Sequence, residues 1–157
     1  MIKRLIFDID GTLITGVTFD EAIKNSLMAH GLFSEENLQK YINAISTYED
    51  ENYQYEEKKY LQHFSHALGT KIDKDFLNIH FKNLEIYAVP DEINKELIST
   101  IEQLCKKYEL VILTNYFEQP QKNRLKKIGI SDYFSEFYGE KVIKPYKQAF
   151  LDAIRLT

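Results

Sequence analysis

The sequence has a single cysteine, no apolar run approaching the length of a bilayer span and no dense basic stripe. The lone thiol, Cys105, cannot form an internal disulfide, so the chain is not a disulfide-stapled secreted scaffold. Without about 18 consecutive apolar residues no membrane partner is expected. The apolar run after Lys3 and Arg4 breaks at Asp8, too soon for the hydrophobic segment of a signal peptide. The expected location is therefore cytoplasmic. Twenty Lys and Arg stand against 24 Asp and Glu, net charge -4, which argues against nucleic acid as a partner and for a small molecule. No repeat or low-complexity tract is present, which excludes a solenoid. At 157 residues, one core with a large insertion fits better than two full domains.

What is present starts with Leu5-Ile6-Phe7-Asp8-Ile9-Asp10-Gly11-Thr12-Leu13, an apolar run that stops at two carboxylates. Such a run suits a strand of a parallel sheet covered on both faces, whose ligands collect at the strands' carboxyl ends. Alternation along a strand points Asp8 and Asp10 into one crevice, with Ile9 turned into packing and Gly11 free to turn. Taken alone, Asp10-Gly11 also fits a two-residue hairpin turn. A calcium loop does not fit, because Leu13 and Phe19 stand where such a loop needs glycine and glutamate.

Further along, the pattern is helical. Asp20 is an expected N-cap for a helix to about His30, stopped by Gly31. Ser34 caps a second helix with Leu38, Tyr41, Ile42 and Ile45 on one face. A third is expected from about Tyr53 to Leu68, ended by Gly69, and a fourth after Asp73. These predict a small helical bundle, with a boundary near Pro90. Beyond it come a helix carrying Ile93, Leu97, Ile101 and Leu104, a strand Leu110 to Leu113 ending in Thr114-Asn115, and a helix with Pro120 in its first turn. A short strand near Glu136 to Gly139 and then Lys144-Pro145 follow. Right-handed crossovers bring Asp8, Asp10, Thr114 and Lys144 to one edge.

Asp8-Ile9-Asp10-Gly11-Thr12-Leu13, then Leu113-Thr114-Asn115, then Lys144-Pro145 before a helix, resembles the haloacid dehalogenase superfamily of phosphohydrolases over nearly the whole chain. The resemblance implies an α/β fold, a Rossmann-like parallel sheet core with an inserted all-helical cap of the C1 type. Residues 1–17 and 87–157 would form the core and 18–86 the cap. It also implies a magnesium-dependent phosphatase acting on a small phosphorylated substrate, a phosphomonoester. Asp8 would be the nucleophile and form an aspartyl phosphate. Asp10 would act as general acid and then base. The Thr114 hydroxyl and the amides around Asn115 would hold phosphoryl oxygens alongside Gly11 and Thr12, and Lys144 would supply positive charge beside Asp8. Magnesium would sit on the Asp8 carboxylate and the Asp10 carbonyl oxygen. The dehalogenases of the family carry another residue in place of Asp10, so the chain reads as a phosphatase. Phosphonate hydrolysis would need an imine-forming cap lysine, and Lys24, Lys40, Lys58 and Lys59 read instead as solvated helix faces.

The chain departs from the family pattern in one respect: the fourth motif, an acidic pair after another strand, has no counterpart before Thr157, and Glu136, Glu140 and Asp152 do not stand in its context. Two readings follow, a fragment of a longer phosphatase or a non-catalytic descendant used as a binding protein. Retention of every residue type of the first three motifs favours the fragment. Self-association through an incomplete core is expected. His63 and His66 read as structural, Cys105 as a small core residue, and the tyrosines of the bundle equally well as the lining of a substrate pocket or as packing with hydroxyls outward. Tyr116 and Phe117 are candidates for leaving-group contact or a packing pair at a helix start.

Overall fold

The computed structural model describes residues 1–155. The chain runs β1 (Arg4–Phe7), α1 (Asp20–Ala29), α2 (Glu35–Glu51), α3 (Glu57–Leu68), α4 (Lys74–Tyr87), α5 (Lys95–Cys105), β2 (Glu109–Leu113), α6 (Glu118–Lys127), β3 (Glu136–Tyr138) and α7 (Lys147–Ile154), with one 3-10 turn at Ser131–Tyr133. The strands form one parallel sheet in the order β1-β2-β3, with Ile6 beside Val111 and Ile112 beside Phe137. Parallel pairing of β1 with β2 excludes the hairpin. Asp10 to Ile14 instead make a compact turn in which the amides of Thr12, Leu13 and Ile14 all return to the Ile9 carbonyl oxygen.

Local chemistry explains most boundaries. Ser34 Oγ accepts the Asn37 amide, Asp73 accepts those of Asp75 and Phe76, and Gly69 ends α3 in the left-handed region at φ 67°. Asp20 is not a cap, as Phe19 precedes the helix without a side-chain bond and Asp20 is its first residue. The third helix begins at Glu57 rather than near Tyr53, because Asn52 leaves the helix in extended geometry and residues 52–56 form a connector.

Two large apolar cores result, with two smaller clusters beside them. Ile9, Ile14, Ile101, Leu110 and Ile112 pack between sheet and helices, while Tyr41, Tyr48, Tyr60, Phe64 and Phe76 centre the four helices inserted between β1 and β2. Here the tyrosines differ from the outward expectation. Tyr41 and Tyr60 are buried and their hydroxyls bond each other, since a buried hydroxyl must find a partner. Burial pushes both hydroxyls well above the usual tyrosine range, so they stay protonated. Cys105 packs partly buried beside the sheet core, as expected of a small apolar residue.

The insert is laced to the sheet. The Tyr55 amide donates to the Glu140 carbonyl oxygen at 2.8 Å, and that of Ile143 to Tyr53 at 2.9 Å. Gly139, at φ 113°, passes so close to Thr114 that a Cβ built on it would lie 1.7 Å from the Thr114 carbonyl oxygen. At the other end of the sheet Arg4 forks onto Glu109 at 2.8 and 3.0 Å and reaches the Ala153 carbonyl oxygen, joining β1, β2 and α7.

β1 is not covered on both faces. Leu5 and Phe7 face the sheet core, but Ile6 is exposed, and Ile2 and Ile154 are exposed beside it. No strand among the described residues pairs with the outer edge of β1. We propose that this edge supports self-association. Light scattering on the 18.5 kDa chain is expected to find species above monomer mass. Ile6→Lys with Ile154→Lys should return it to monomer, and a monomer at high concentration without those changes contradicts the idea.

A second prediction concerns pH. Burial pushes the His80 imidazole down to about 4 from its ordinary value. Between roughly 6.5 and 4 the unfolded chain therefore binds a proton that the folded chain refuses. Stability should be fully present above that window and fall as pH drops through it, by roughly 3 kcal/mol at the limit. Urea unfolding from pH 7 to 4 checks this. The His80→Gln protein should show a slope shallower by up to about one proton.

Candidate active site

At the carboxyl ends of the strands the structure gathers side chains from six stretches of chain. β1 ends in Asp8, whose Oδ1 accepts its neighbour's amide, Ile9 N–H, at 2.8 Å, and Lys144 Nζ stands 3.2 Å from the same oxygen. Both side chains are part-exposed. Lys144 is held in place by Asn115, whose Oδ1 accepts the Lys144 amide at 2.7 Å while its Nδ2 donates to the Lys144 carbonyl oxygen at 2.9 Å. The Asn115 side chain is thus a staple between the β2 and β3 ends. The amide of its side chain also reaches Glu49 of α2 at 3.1 Å, and Glu49 in turn accepts the Tyr55 hydroxyl at 2.7 Å.

Asp10 takes a partner that sequence reasoning missed. Arg124, on α6 and only 1% exposed, donates to both Asp10 carboxylate oxygens at 2.8 and 3.1 Å. The remaining donors of the guanidinium go to the Ala88 carbonyl oxygen, twice, and to Gln121 Oε1. Gln121 Nε2 donates to Thr114 Oγ1 at 3.0 Å, so the buried Thr114 hydroxyl keeps its own proton free to donate. One network therefore runs from Thr114 through Gln121 and Arg124 to Asp10. Gly11, at φ 82°, and Thr12 are exposed at the turn beside it.

Of the expected site residues, Asp8 and Lys144 form a direct pair, Asp10 and Thr114 are joined through Arg124 and Gln121, and Asn115 braces the Lys144 loop. Glu140 accepts the Glu118 amide at the start of α6, Glu136 stands 3.7 Å from Arg4, and Asp152 accepts Gln148, so each of the late acids has a structural occupation. His63 bonds Thr47 and the Ala44 carbonyl oxygen, a structural role. Arg124 and Gln121 lie in Glu-Gln-Pro-Gln-Lys-Asn-Arg-Leu-Lys-Lys, where nothing but the position one turn before Leu125's neighbours hints at burial.

The helical insert and the sheet edge enclose a cavity of about 210 Å³ with Asp10 and Arg124 in its wall, lined otherwise by Phe19, Tyr60, Phe64 and Tyr116 among others. Tyr116 is thus a cavity residue, while its neighbour Phe117 is buried in the insert's core.

For magnesium, the residues present offer hard oxygen donors of the right kind: the part-exposed Asp8 carboxylate, and the Asp10 carbonyl oxygen, which the turn's amides leave aside. Among the described residues no group of three or more His, Cys, Asp or Glu side chains converges. The donor chemistry fits the ion, with water and substrate oxygens as its remaining ligands.

Comparison with known proteins agrees with this fold. The haloacid dehalogenase-like hydrolase family matches residues 2–157. Among solved structures, a HAD-hydrolase, YfnB, from Bacillus subtilis bound to magnesium superposes with TM-score 0.62 at 19% identity, over 87% of this chain and 64% of that one. L-2-haloacid dehalogenase from Xanthobacter autotrophicus gives TM-score 0.62 at 17% identity, over 100% and 66%. A predicted phosphoglycolate phosphatase from Haemophilus somnus gives 0.51 at 18%, over 96% and 69%. At these identities the likeness is one of fold. The chain spans about two thirds of the length of these proteins. No curated protein matches it in sequence.

Removing the guanidinium tests the network directly. Arg124→Met leaves the Ala88 carbonyl and Gln121 unpaired and should cost about 2–4 kcal/mol of stability in urea unfolding. Arg124→Lys keeps the charge but loses the fork, and should recover only part of it. A loss under about 0.5 kcal/mol for Arg124→Met would show that the network is not structural.

Proposed function

The chain belongs to the haloacid dehalogenase-like hydrolase family, and from that premise we propose that it is a magnesium-dependent phosphatase of a small phosphomonoester. The observation that carries the reading is the pair Asp8 and Asp10, with Lys144 at 3.2 Å from the first and the Arg124 fork on the second.

Asp8 attacks phosphorus through its carboxylate, and the ester bond to the leaving oxygen breaks, giving an aspartyl phosphate. Asp10 gives the leaving oxygen a proton and later takes one from the water that hydrolyses the intermediate. The fork uses one lone pair on each Asp10 oxygen, and each keeps a second for proton exchange. Lys144 places positive charge beside the phosphoryl group, and the free Thr114 proton is a donor to its oxygens. Gly11 and Thr12 remain substrate-binding candidates as exposed residues of the turn, with the Thr12 hydroxyl as the donor, because both backbone amides are held by the Ile14 and Ile9 carbonyl oxygens. Magnesium, when bound, neutralises phosphoryl charge. The Asp8 carboxylate and the Asp10 carbonyl oxygen would hold it. The four helices act as the cap and form the wall of the cavity over Asp10.

One observation favours a second reading, a non-catalytic binding protein on the same fold: no third acidic ligand joins Asp8 and Asp10 among the described residues. Turnover decides between them. Phosphate-ester hydrolysis by the chain should rise with magnesium through the millimolar range, because two protein donors bind the ion weakly. Asp8→Asn should abolish turnover with the fold intact, and Asp10→Asn should lower it by about 10² to 10⁴. Unchanged hydrolysis in Asp8→Asn removes the nucleophile assignment. Absence of any turnover by the unaltered chain overturns the reading of these residues as a self-sufficient phosphatase and leaves an inactive fragment or a binding protein.

A further inference from the structure

The cavity over Asp10 has no free cation and is walled mainly by rings and apolar side chains, and its chemistry follows from that lining. Its one cation among the lining residues, Arg124, has every guanidinium nitrogen engaged by Asp10, Gln121 and the Ala88 carbonyl oxygen. Both oxygens of Glu49 accept hydrogen bonds, from Tyr55 and Asn115. The Asn115 amide is committed to Glu49 and the Lys144 backbone.

Two polar atoms of the lining make no hydrogen bond among the described residues. The Tyr116 hydroxyl is buried, lies toward Tyr60, and is outside hydrogen-bond geometry with any group. His80 lines the same cavity and is uncharged at neutral pH. Ser26 gives its only hydroxyl proton to the Ala22 carbonyl oxygen, so its bond to His80 Nδ1 assigns the ring proton to that nitrogen. His80 Nε2 is then an acceptor with no partner among the described residues.

Resting on the phosphatase reading above, we propose that this cavity receives the leaving group, and that the group is a compact, single-ring aromatic alcohol without an anionic group, carrying one hydrogen-bonding substituent. A carboxylate there would meet no free cation and would stand beside the Glu49 carboxylate, buried unpaired. A sugar would set several hydroxyls against the rings and apolar side chains that make up most of the wall, each unsatisfied one being costly. The rings of Phe19, Tyr60, Phe64 and Tyr116 instead offer edge and face contacts to another ring. At about 210 Å³ the space has room for one substituted ring.

The test reads binding separately from turnover. Calorimetric titration of the chain with 4-hydroxybenzyl alcohol, benzyl alcohol, glycolate and glucose should give saturable one-to-one binding of the first, with glycolate and glucose weaker by about tenfold or more. Tyr116→Phe should weaken the 4-hydroxybenzyl alcohol severalfold and leave benzyl alcohol unchanged. Ile45→Phe, which narrows the cavity, should abolish both, with circular dichroism confirming the fold. Glucose or glycolate binding as tightly, or no saturable binding of either aromatic alcohol, overturns the proposal. In parallel, preference for a sugar or carboxylate phosphate over benzyl phosphate overturns the ligand class while the hydrolase reading stands. Aromatic binding with no ester turned over supports the ligand class and overturns the hydrolase reading alone.

Discussion

A guanidinium out of water imposes the strictest condition in this molecule. Arg124 can remain buried only where each of its N–H groups has an acceptor and its charge has a counter-charge. The fold meets that condition with Gln121 one turn away and with three groups from elsewhere in the chain: the Asp10 carboxylate after β1, the Ala88 carbonyl where the inserted helices rejoin the sheet and, through Gln121, Thr114 at the end of β2. The acidic motif, the return from the insert and the second strand end are therefore registered against one planar group. A planar fork fixes direction as well as distance, which a lysine at the same place would not.

What could be read in the sequence was what periodicity and short motifs encode. The four helices of the insert, the caps at Ser34 and Asp73, the stop at Gly69 and the strand end at Thr114 all follow from local chemistry, and the structure has them. The order of the aspartate, threonine and lysine motifs was enough to foresee a parallel sheet with one common edge. The buried arginine was not legible, because α6 is among the most polar helices of the chain and Lys122, Arg124, Lys126 and Lys127 look alike as solvated charges. Nor was Glu49, whose role depends on where α2 sits against Asn115. The inward hydroxyls of Tyr41 and Tyr60 escaped for a related reason: an amphipathic pattern says which face is buried, while pairing of two polar tips inside that face depends on the partner helix.

The insert and the sheet are joined through polar backbone as well as through apolar contact. The α2–α3 connector exchanges amide bonds with the loop after β3, the same loop that Asn115 ties to β2 and that carries Lys144. Any opening of the cavity by movement of the helices must either break those bonds or carry the loop along, so access to the cavity and the placement of Lys144 beside Asp8 are mechanically linked.

The close approach of Gly139 to Thr114 bears on how the protein tolerates change. The space between the β2 and β3 ends is no wider than a backbone in van der Waals contact, so any side chain at position 139 presses directly on the residue that donates toward the phosphoryl position in the proposed reaction. Drift in sequence at this position is closed from both sides, by the left-handed backbone that disfavours a Cβ and by the carbonyl that already occupies its place. Selection acting on stability and selection acting on the site then fall on the same atom, and neither can be relaxed without the other.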